Sequence, residues 1–164
     1  MKIEKATLAS LETVLEIYAD ARAYMREHGN AEQWSGGYPA ESLLRADIER
    51  GALYLCTEGE EILGVFCYFE GEDPTYGRID GGAWLNDKPY GVIHRIAVAK
   101  HQRGVASFCF DACLARCHNL KIDTHKDNYP MQRSLEKNGF TRCGIIYLEN
   151  GDERIAYQKS DETL

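Results

Sequence analysis

The sequence has no long hydrophobic run and no cluster of basic residues, and both absences narrow what the protein can be. No stretch approaches the ~20 consecutive apolar residues of a membrane-spanning helix. No group of lysines and arginines reaches the density of a nucleic-acid footprint or of a polybasic membrane anchor, and the formal net charge is −7. We therefore expect neither nucleic acid nor a membrane among the partners of this chain.

The first residues also lack the apolar core of a secretion signal, because they run at once into polar sequence. We therefore expect a cytoplasmic protein. Its 164 residues, of which 44% are hydrophobic and 27% charged, predict one domain spanning residues 1–164. A chain of this length buries roughly 70% of its unfolded surface on folding, so it needs neither disulfides nor a structural metal to be stable.

Six cysteines are present, and Cys109, Cys113 and Cys117 recur at every fourth position. This spacing places side chains on one face of a helix. A zinc site usually takes its cysteines from separate pairs, and free cysteine is among the most buried residue types. We therefore expect reduced cysteines packed in the core and no metal site.

Hydrophobic periodicity and turn residues divide the chain into eleven elements. The pattern predicts strands over 2–7, 53–57, 62–69, 91–98, 120–124, 140–148 and 153–158, and helices over 10–29, 41–50, 104–118 and 128–138. Residues 70–90 show no period, carry tyrosine and tryptophan, and exceed the ~15 residues usual for a connector, which favours a functional loop. The order of elements predicts an α/β (α+β) fold, a mixed sheet with helices on both faces.

The segment His101-Gln102-Arg103-Gly104-Val105-Ala106-Ser107 lies between a predicted buried strand and a long helix. A glycine turn there directs backbone N–H groups and the positive end of a helix to one place, which suits a pyrophosphate. On this pattern alone an ordinary turn is equally consistent. The surrounding charge favours the anion site, because residues 88–110 contain no Asp or Glu but do contain Lys88, Arg95, Lys100 and Arg103.

These residues resemble the GNAT superfamily of acyl-CoA-dependent N-acetyltransferases over essentially the whole chain. In that family a strand similar to Ile93-His94-Arg95-Ile96-Ala97-Val98 leads into an Arg/Gln-x-x-Gly-x-Gly/Ala loop, matched here by His101-x-x-Gly104-x-Ala106. A second signature, an Asn opening the next helix and a Glu-Lys-x-Gly-Phe ending, is matched by Asn128 and Glu136-Lys137-Asn138-Gly139-Phe140. Two features depart from the family: His101 stands where Arg or Gln is usual, and the loop is about two residues short.

The resemblance implies a mostly antiparallel central sheet in which the strands of Val98 and Ile122 separate to admit acetyl-CoA. The backbone of the strand and loop would hold the pantetheine and pyrophosphate, and the N–H of Val98 would face the developing oxyanion. The cofactor residues that the resemblance implies are Ile96, Ala97, Val98, His101, Gln102, Arg103, Gly104, Val105, Ala106, Ser107 and Asn128.

Direct acyl transfer requires a base that takes a proton from the attacking amine. His94 is the candidate, because it lies on the strand that leads to the cofactor loop and histidine titrates near neutral pH. A buried structural histidine is the competing interpretation. Arg95 must point to the opposite face of a regular strand, so only one of the two should line the acceptor cavity. His125 is a second candidate, although its polar neighbours favour an exposed turn.

The family's usual tyrosine, which protonates the departing CoA thiolate, is replaced here by Leu135. A thiol with a pKa near 8.5 leaves with little help, and water or Tyr129 could serve.

Acceptor recognition in this family lies in the N-terminal half and in the loops before the cofactor strand. Aromatic faces and carboxylates suit an ammonium group, and the candidates in those segments are Trp34, Tyr38, Tyr76, Asp80, Trp84 and Tyr90. The same segments also carry the carboxylates of Asp73 and Asp87. A packing role is the alternative for each aromatic residue taken singly. Residues 1–90 hold 17 acidic and 8 basic side chains, against 9 and 11 in residues 91–164, which also favours a cationic or zwitterionic acceptor in the first half.

The sequence therefore predicts an N-acetyltransferase that moves an acetyl group from acetyl-CoA to a primary amine of a small cationic or zwitterionic acceptor. The alternative is a non-catalytic acyl-CoA-binding sensor, motivated by Leu135 and His101. A homodimer is left open.

Overall fold

The protein is described by a computed structural model that covers residues 1–161, without the side chain of the predicted cofactor residue His101. In this part of the chain the strands are β1 (Lys2–Lys5), β2 (Leu53–Glu58), β3 (Glu61–Glu70), β4 (Gly91–Val98), β5 (Asn119–Thr124), β6 (Thr141–Tyr147) and β7 (Glu153–Ser160). The helices are α1 (Leu11–Glu27), α2 (Glu41–Glu49), α3 (Val105–Cys117) and α4 (Tyr129–Lys137). Each predicted strand and helix is confirmed, with ends that differ by a few residues.

The first strand ends at Lys5 rather than at residue 7, because the chain turns there. Leu8–Ser10 forms a short 3-10 turn, and the hydroxyl of Ser10 donates to the carbonyl of Thr7 at 2.8 Å. The predicted loop 70–90 likewise contains a 3-10 turn, Pro74–Tyr76.

The seven strands of the described residues form one sheet in the order β1-β2-β3-β4-β5-β7-β6. β4 and β5 are parallel, and all other neighbours are antiparallel. The predicted mixed, mostly antiparallel sheet is confirmed.

Alternate residues of the central strands pack into separate cores on the two faces of the sheet. Leu53 and Leu55 of β2 pack with α1 and α2, whereas Tyr54 and Cys56 pack with α3. This alternation follows from the period of two of a strand. Helices therefore cover both faces, as the α/β (α+β) prediction requires.

The cysteines of α3 belong to the core on their side of the sheet. Cys109 and Cys113 are buried there, and Cys117 packs against the same cluster. The prediction that these three cysteines pack in the core is confirmed.

β4 and β5 begin as neighbours and then separate. Their register holds only the pairs Gly91–Leu120 and Val92–Lys121. Beyond these pairs β5 stays with β7 as far as Thr124, whereas β4 carries a bulge opposite β3, with Arg95 at a φ of +54°. Because a bulge bends its strand, a gap opens between the C-terminal halves of β4 and β5.

Among residues 1–161, no helix combines the length and the apolar character needed to cross a membrane.

Candidate active site

A cavity of about 470 Å³ occupies the gap between β4 and β5. Its wall is formed by the segment after α1, by residues 73–75, by the C-terminal halves of both strands and by the turn between β6 and β7. The predicted residues that line it are Trp34, Tyr38, His94, Ile96 and Asn128. The cavity thus brings together residues that are up to 129 positions apart in the sequence, Met25 and Arg154.

His94 lies in this wall between two carboxylates. Its Nε2 is 2.7 Å from Oδ2 of Asp73, and its Nδ1 is 3.9 Å from Oδ2 of Asp123. About a quarter of the side chain (26%) is exposed, so a molecule in the cavity can reach the ring.

Asp73 is fixed as the N-cap of the turn Pro74–Tyr76. Its Oδ1 accepts hydrogen bonds from the backbone N–H (2.9 Å) and the hydroxyl (2.7 Å) of Thr75. Burial opposes ionisation, but the hydrogen bonds from His94 and Thr75 outweigh it and lower the pKa of Asp73 to about 2. An ionised carboxylate only accepts hydrogen bonds, so Nε2 of His94 carries a proton.

Asp123 faces His94 from β5. Its Oδ2 accepts a 2.7 Å hydrogen bond from the phenol of Tyr76. Burial and the negative charge of Asp123 raise the pKa of Tyr76 well above its ordinary value, so this phenol remains a donor.

Arg95 also lines the cavity, which corrects the prediction that only one of the two neighbours His94 and Arg95 could do so. The left-handed backbone of Arg95 breaks the alternation of β4. Its guanidinium pairs with the fully buried Asp47 of α2 and donates to the phenol oxygen of Tyr38 at 3.2 Å. The carbonyl of Arg95 accepts a 2.7 Å hydrogen bond from Tyr18 of α1. These contacts hold the bulge against the helical layer.

The predicted cofactor turn lies at the end of the gap, between β4 and α3. Gly104 has a φ of +80°, caps α3, and has no atom within 4 Å of the position that a Cβ would take. Arg103 and Gly104 are exposed, whereas Val105 is buried in the core. The first turn of α3 contains no acidic residue. An open, basic turn at the positive end of a helix fits the pyrophosphate of acetyl-CoA.

The remaining cofactor candidates surround this turn. Ala97 and Val98 pair with Val65 and Gly64 of β3, beyond the last contact of β4 with β5. The half-buried candidates of the turn are Gln102, Ala106 and Ser107. The side chain of His101 lies outside the part that the structure describes.

Asn128 joins the start of α4 to the segment after α1. Its Oδ1 accepts from the backbone N–H of Met131 at 3.2 Å, which caps the helix as predicted. Its Nδ2 donates to Oε1 of Gln33 at 3.0 Å, and both residues line the cavity.

The other acceptor candidates lie outside the cavity wall. Tyr76, Trp84 and Tyr90 form an aromatic cluster behind Asp73 and Asp123. The indole of Trp84 donates to the carbonyl of Tyr76 at 2.9 Å, and the phenol oxygen of Tyr90 accepts from the backbone N–H of Asp73 at 2.9 Å. The cluster therefore supports the two carboxylates rather than reaching the cavity itself.

Asp80 does not line the wall of the main cavity. Its Oδ2 accepts from Arg78 at 2.9 Å and from the phenol of Tyr147 at 2.8 Å. Its backbone pairs with Ile145 in an isolated bridge at the edge strand.

The position of the family's tyrosine and the candidate Tyr129 both lie outside the wall of the main cavity. Leu135, which replaces the family's tyrosine, is fully buried with α3, and Tyr129 is 58% exposed on α4. His125 is 7% exposed, which corrects the expected exposed turn, because its Nδ1 accepts from the backbone N–H of Asp127 at 3.0 Å. It lines a second cavity of about 410 Å³ that adjoins the first.

Sequence reasoning did not assign roles to several residues that shape the site. They are Gln33, Asp47, Asp123, Thr124, Asp152 and Arg154. The sequence placed Asp73 among the carboxylates of the acceptor segments but not beside His94, although its Asp-Pro-Thr sequence is typical of a capped turn. The Thr124 hydroxyl is buried, and no described residue bonds to it.

Comparison with known proteins agrees with this architecture. The chain is similar to a GNAT-family acetyltransferase from Streptococcus agalactiae, with 27% identity over 99% of this chain and 96% of the other and a TM-score of 0.91. It shares its fold with a putative acetyltransferase from Staphylococcus aureus (23% identity, 98% and 99% of the chains, TM-score 0.70). The same fold occurs in a putative acetyltransferase from Salmonella typhimurium that was solved with its cofactor acetyl-CoA (14% identity, 99% of this chain and 95% of the other, TM-score 0.65). No curated protein sequence matches the chain.

The family model of the acetyltransferase (GNAT) family matches residues 11–140, which include α1, the separating strands and the turn before α3. The match covers well over half of the chain and confirms the resemblance seen in the sequence. The chain belongs to the acetyltransferase (GNAT) family, the N-acetyltransferases that take their acyl group from acetyl-CoA.

Proposed function

We propose that the protein, acting as one N-acetyltransferase domain in the cytoplasm, transfers the acetyl group of acetyl-CoA to the primary amine of a small cationic or zwitterionic acceptor. The observation that carries this proposal is the cluster of Asp73, His94 and Asp123 in the wall of the cavity between β4 and β5. An imidazole between two carboxylates can hold an ammonium group and accept its proton in the same place.

In this proposal the amine loses its proton to Nδ1 of His94. Asp73 accepts a hydrogen bond from the protonated Nε2 of His94. The unprotonated nitrogen is then Nδ1, whose lone pair lies on the side of Asp123. Asp73 also fixes the orientation of the ring, and its negative charge stabilises the imidazolium that forms.

Asp123 is suited to bind the ammonium group before the proton moves. Glu32 and Asp152 add negative charge to the same wall, and Trp34 and Tyr38 add aromatic surface. Carboxylates and aromatic faces both attract cations. The positive charge of Arg95 opposes them little, because Asp47 is its partner.

Acetyl-CoA supplies the activated acyl group as a thioester. The residues suited to hold it are Ile96, Ala97 and Val98 of β4, residues 101–107 of the turn, and Asn128 across the gap. Strand edges without a neighbour offer N–H and C=O groups to an extended ligand, and the N–H of Val98 is the proposed oxyanion donor. Lys100 and Arg103 complement the phosphates, since no acidic residue lies between positions 88 and 110.

The test of the reaction is a screen of polyamines, amino acids, aminoglycosides and peptide N-termini with acetyl-CoA, read out as release of CoA. A cationic or zwitterionic amine should give the highest turnover, because the cavity wall is acidic. A preference for acceptors that carry only negative charge would contradict the proposed acceptor class.

The test of the base is His94→Ala. Turnover should fall by ~100-fold or more, whereas the affinity for acetyl-CoA should stay near that of the wild type. His28→Ala, at an exposed position just after α1, is the control and should leave both unchanged. Unchanged turnover in His94→Ala would remove His94 from the mechanism, and bound acetyl-CoA without turnover on any amine would favour the sensor alternative.

A further inference from the structure

Arg154 lies on the same face of the sheet as the proposed base. Ala156 of β7 pairs with Asp123 of β5, and antiparallel partners point to the same side. Arg154 follows two positions along β7 and therefore shares that side, roughly 7 Å further along the strand. It lines both the main cavity and the adjoining cavity of about 410 Å³.

Arg154 is a largely buried residue that lines both cavities, and its guanidinium has no carboxylate partner among residues 1–161. The residue is 7% exposed, and its side chain makes one hydrogen bond, from Nη1 to the carbonyl of Glu153 at 2.9 Å. No carboxylate of residues 1–161 lies within 4 Å of it, although Glu32 and Asp152 line the same cavities. Arg95, the other arginine in the main cavity wall, is paired with Asp47.

Burying a charge without a partner is unfavourable. A guanidinium presents a rigid fork of donors that matches a carboxylate in two parallel hydrogen bonds. The guanidinium of Arg154 is therefore suited to bind an anionic group of the acceptor on the cavity side. The charge of Arg154 also contributes, after burial, to lowering the pKa of His125, so its guanidinium lies close to the junction of the two cavities.

We infer that the acceptor is an amino acid, whose ammonium group binds at His94 and Asp123 and whose carboxylate binds Arg154. This inference rests on the proposed function and narrows it from cationic or zwitterionic amines to zwitterions. Arg154 is then a specificity-determining residue rather than a catalytic one.

The experiment compares each of the twenty common L-amino acids with its own amide, which keeps the side chain and the α-amine but lacks the charge of the carboxylate. Spermidine serves as a purely cationic acceptor. In the wild type, kcat/KM for the best amino acid should exceed that for its amide by at least ~10-fold, the usual effect of a hydrogen bond to a charged group. Preferred acetylation of spermidine or of the amides would overturn the inference and leave the proposed function standing. If no amine is acetylated, the proposed function itself fails.

Arg154→Gln should lower kcat/KM for the amino acid by ~10- to 100-fold, mainly through KM, and leave kcat/KM for the amide within about 3-fold. Arg142→Gln is the matched control, because this exposed arginine lines only the adjoining cavity. Arg154→Lys, which keeps the charge and loses the fork, should fall between the wild type and Arg154→Gln. An equal loss of kcat/KM for the amino acid and for its amide would assign Arg154 a structural role and overturn the inference. If Arg154→Gln does not fold, the comparison of amino acids and amides in the wild type still tests the inference.

Discussion

At the scale of single residues, His94 draws its proposed role from the two carboxylates beside it. Asp73 fixes one ring nitrogen at 2.7 Å, and Asp123 lies 3.9 Å from the other. The histidine could be singled out in the sequence, because it lies on a strand that runs into a glycine turn. Its partners could not, because they lie 21 and 29 positions away and meet it only across the folded sheet.

Asp73→Asn should lower turnover to a level between those of the wild type and His94→Ala. The amide removes the charge that stabilises an imidazolium, and its Nδ2 cannot accept the proton of Nε2. The pH dependence of kcat/KM should change at the same time, since a merely structural role would alter the level of activity but not the shape of the profile. Wild-type turnover and an unchanged pH profile would show that Asp73 does not position the base.

Acidification should also weaken the folded protein through Asp73. The pKa of this carboxyl is about 2 in the folded state against an ordinary value of 3.8, so its contribution to stability is complete above about pH 4 and is lost as the pH falls towards 2. Urea unfolding should therefore show a larger loss of stability between about pH 6 and pH 3 for the wild type than for Asp73→Asn. Equal losses would contradict this.

At the scale of elements, the strand β4 and the turn before α3 organise the site. The bulge at Arg95 turns β4 away from β5, so two strands that start as parallel neighbours frame a cavity. The pattern of residues 91–98 predicted a buried strand correctly. The bulge left no signal in the pattern, because Arg95 is held by distant residues of the helical layer: Tyr18 donates to its carbonyl, and Asp47 pairs with its guanidinium.

Gly104→Asp should weaken binding of acetyl-CoA by ~10-fold or more, because it sets a negative charge at the positive end of α3 where the pyrophosphate is expected. Calorimetric titration with acetyl-CoA measures the effect. Gly81→Asp is the matched control, since Gly81 also has a positive φ (+71°) and free space around it but lies in the loop 71–90. An equal loss in both variants would assign the effect to net charge rather than to the turn.

At the scale of the whole molecule, a buried ion pair attaches the helical layer to the sheet. Asp47 of α2 is fully buried and binds both Arg50, at 2.6 Å, and Arg95 of β4. The phenol of Tyr18 of α1 donates a hydrogen bond to the carbonyl of Arg95 on the same strand. The wall of the cavity and the packing of α1 and α2 therefore depend on one cluster of polar contacts.

Asp47→Ala should reduce the free energy of unfolding by about 3 to 5 kcal/mol, the range observed when one partner of a buried ion pair is removed. Arg45→Ala is the control, because Arg45 is exposed on the same helix and pairs with the exposed Glu41. Its stability should stay close to that of the wild type. Urea unfolding followed by circular dichroism compares the two variants, and a loss below about 1 kcal/mol for Asp47→Ala would show that the pair is not structural.

The elements, the fold class, the family and the turn before α3 could all be predicted from the sequence, because each depends on local periodicity, on glycine positions or on a contiguous motif. Which side chains meet in the cavity could be seen only in the folded chain. The charge of the two halves predicted an acceptor side in residues 1–90, yet the wall takes Glu32 and Asp73 from the first half and Asp123, Asp152 and Arg154 from the second. The reason is physical: the face on which a side chain lies follows from strand register and from one bulge, and both are set by contacts between residues far apart in the chain.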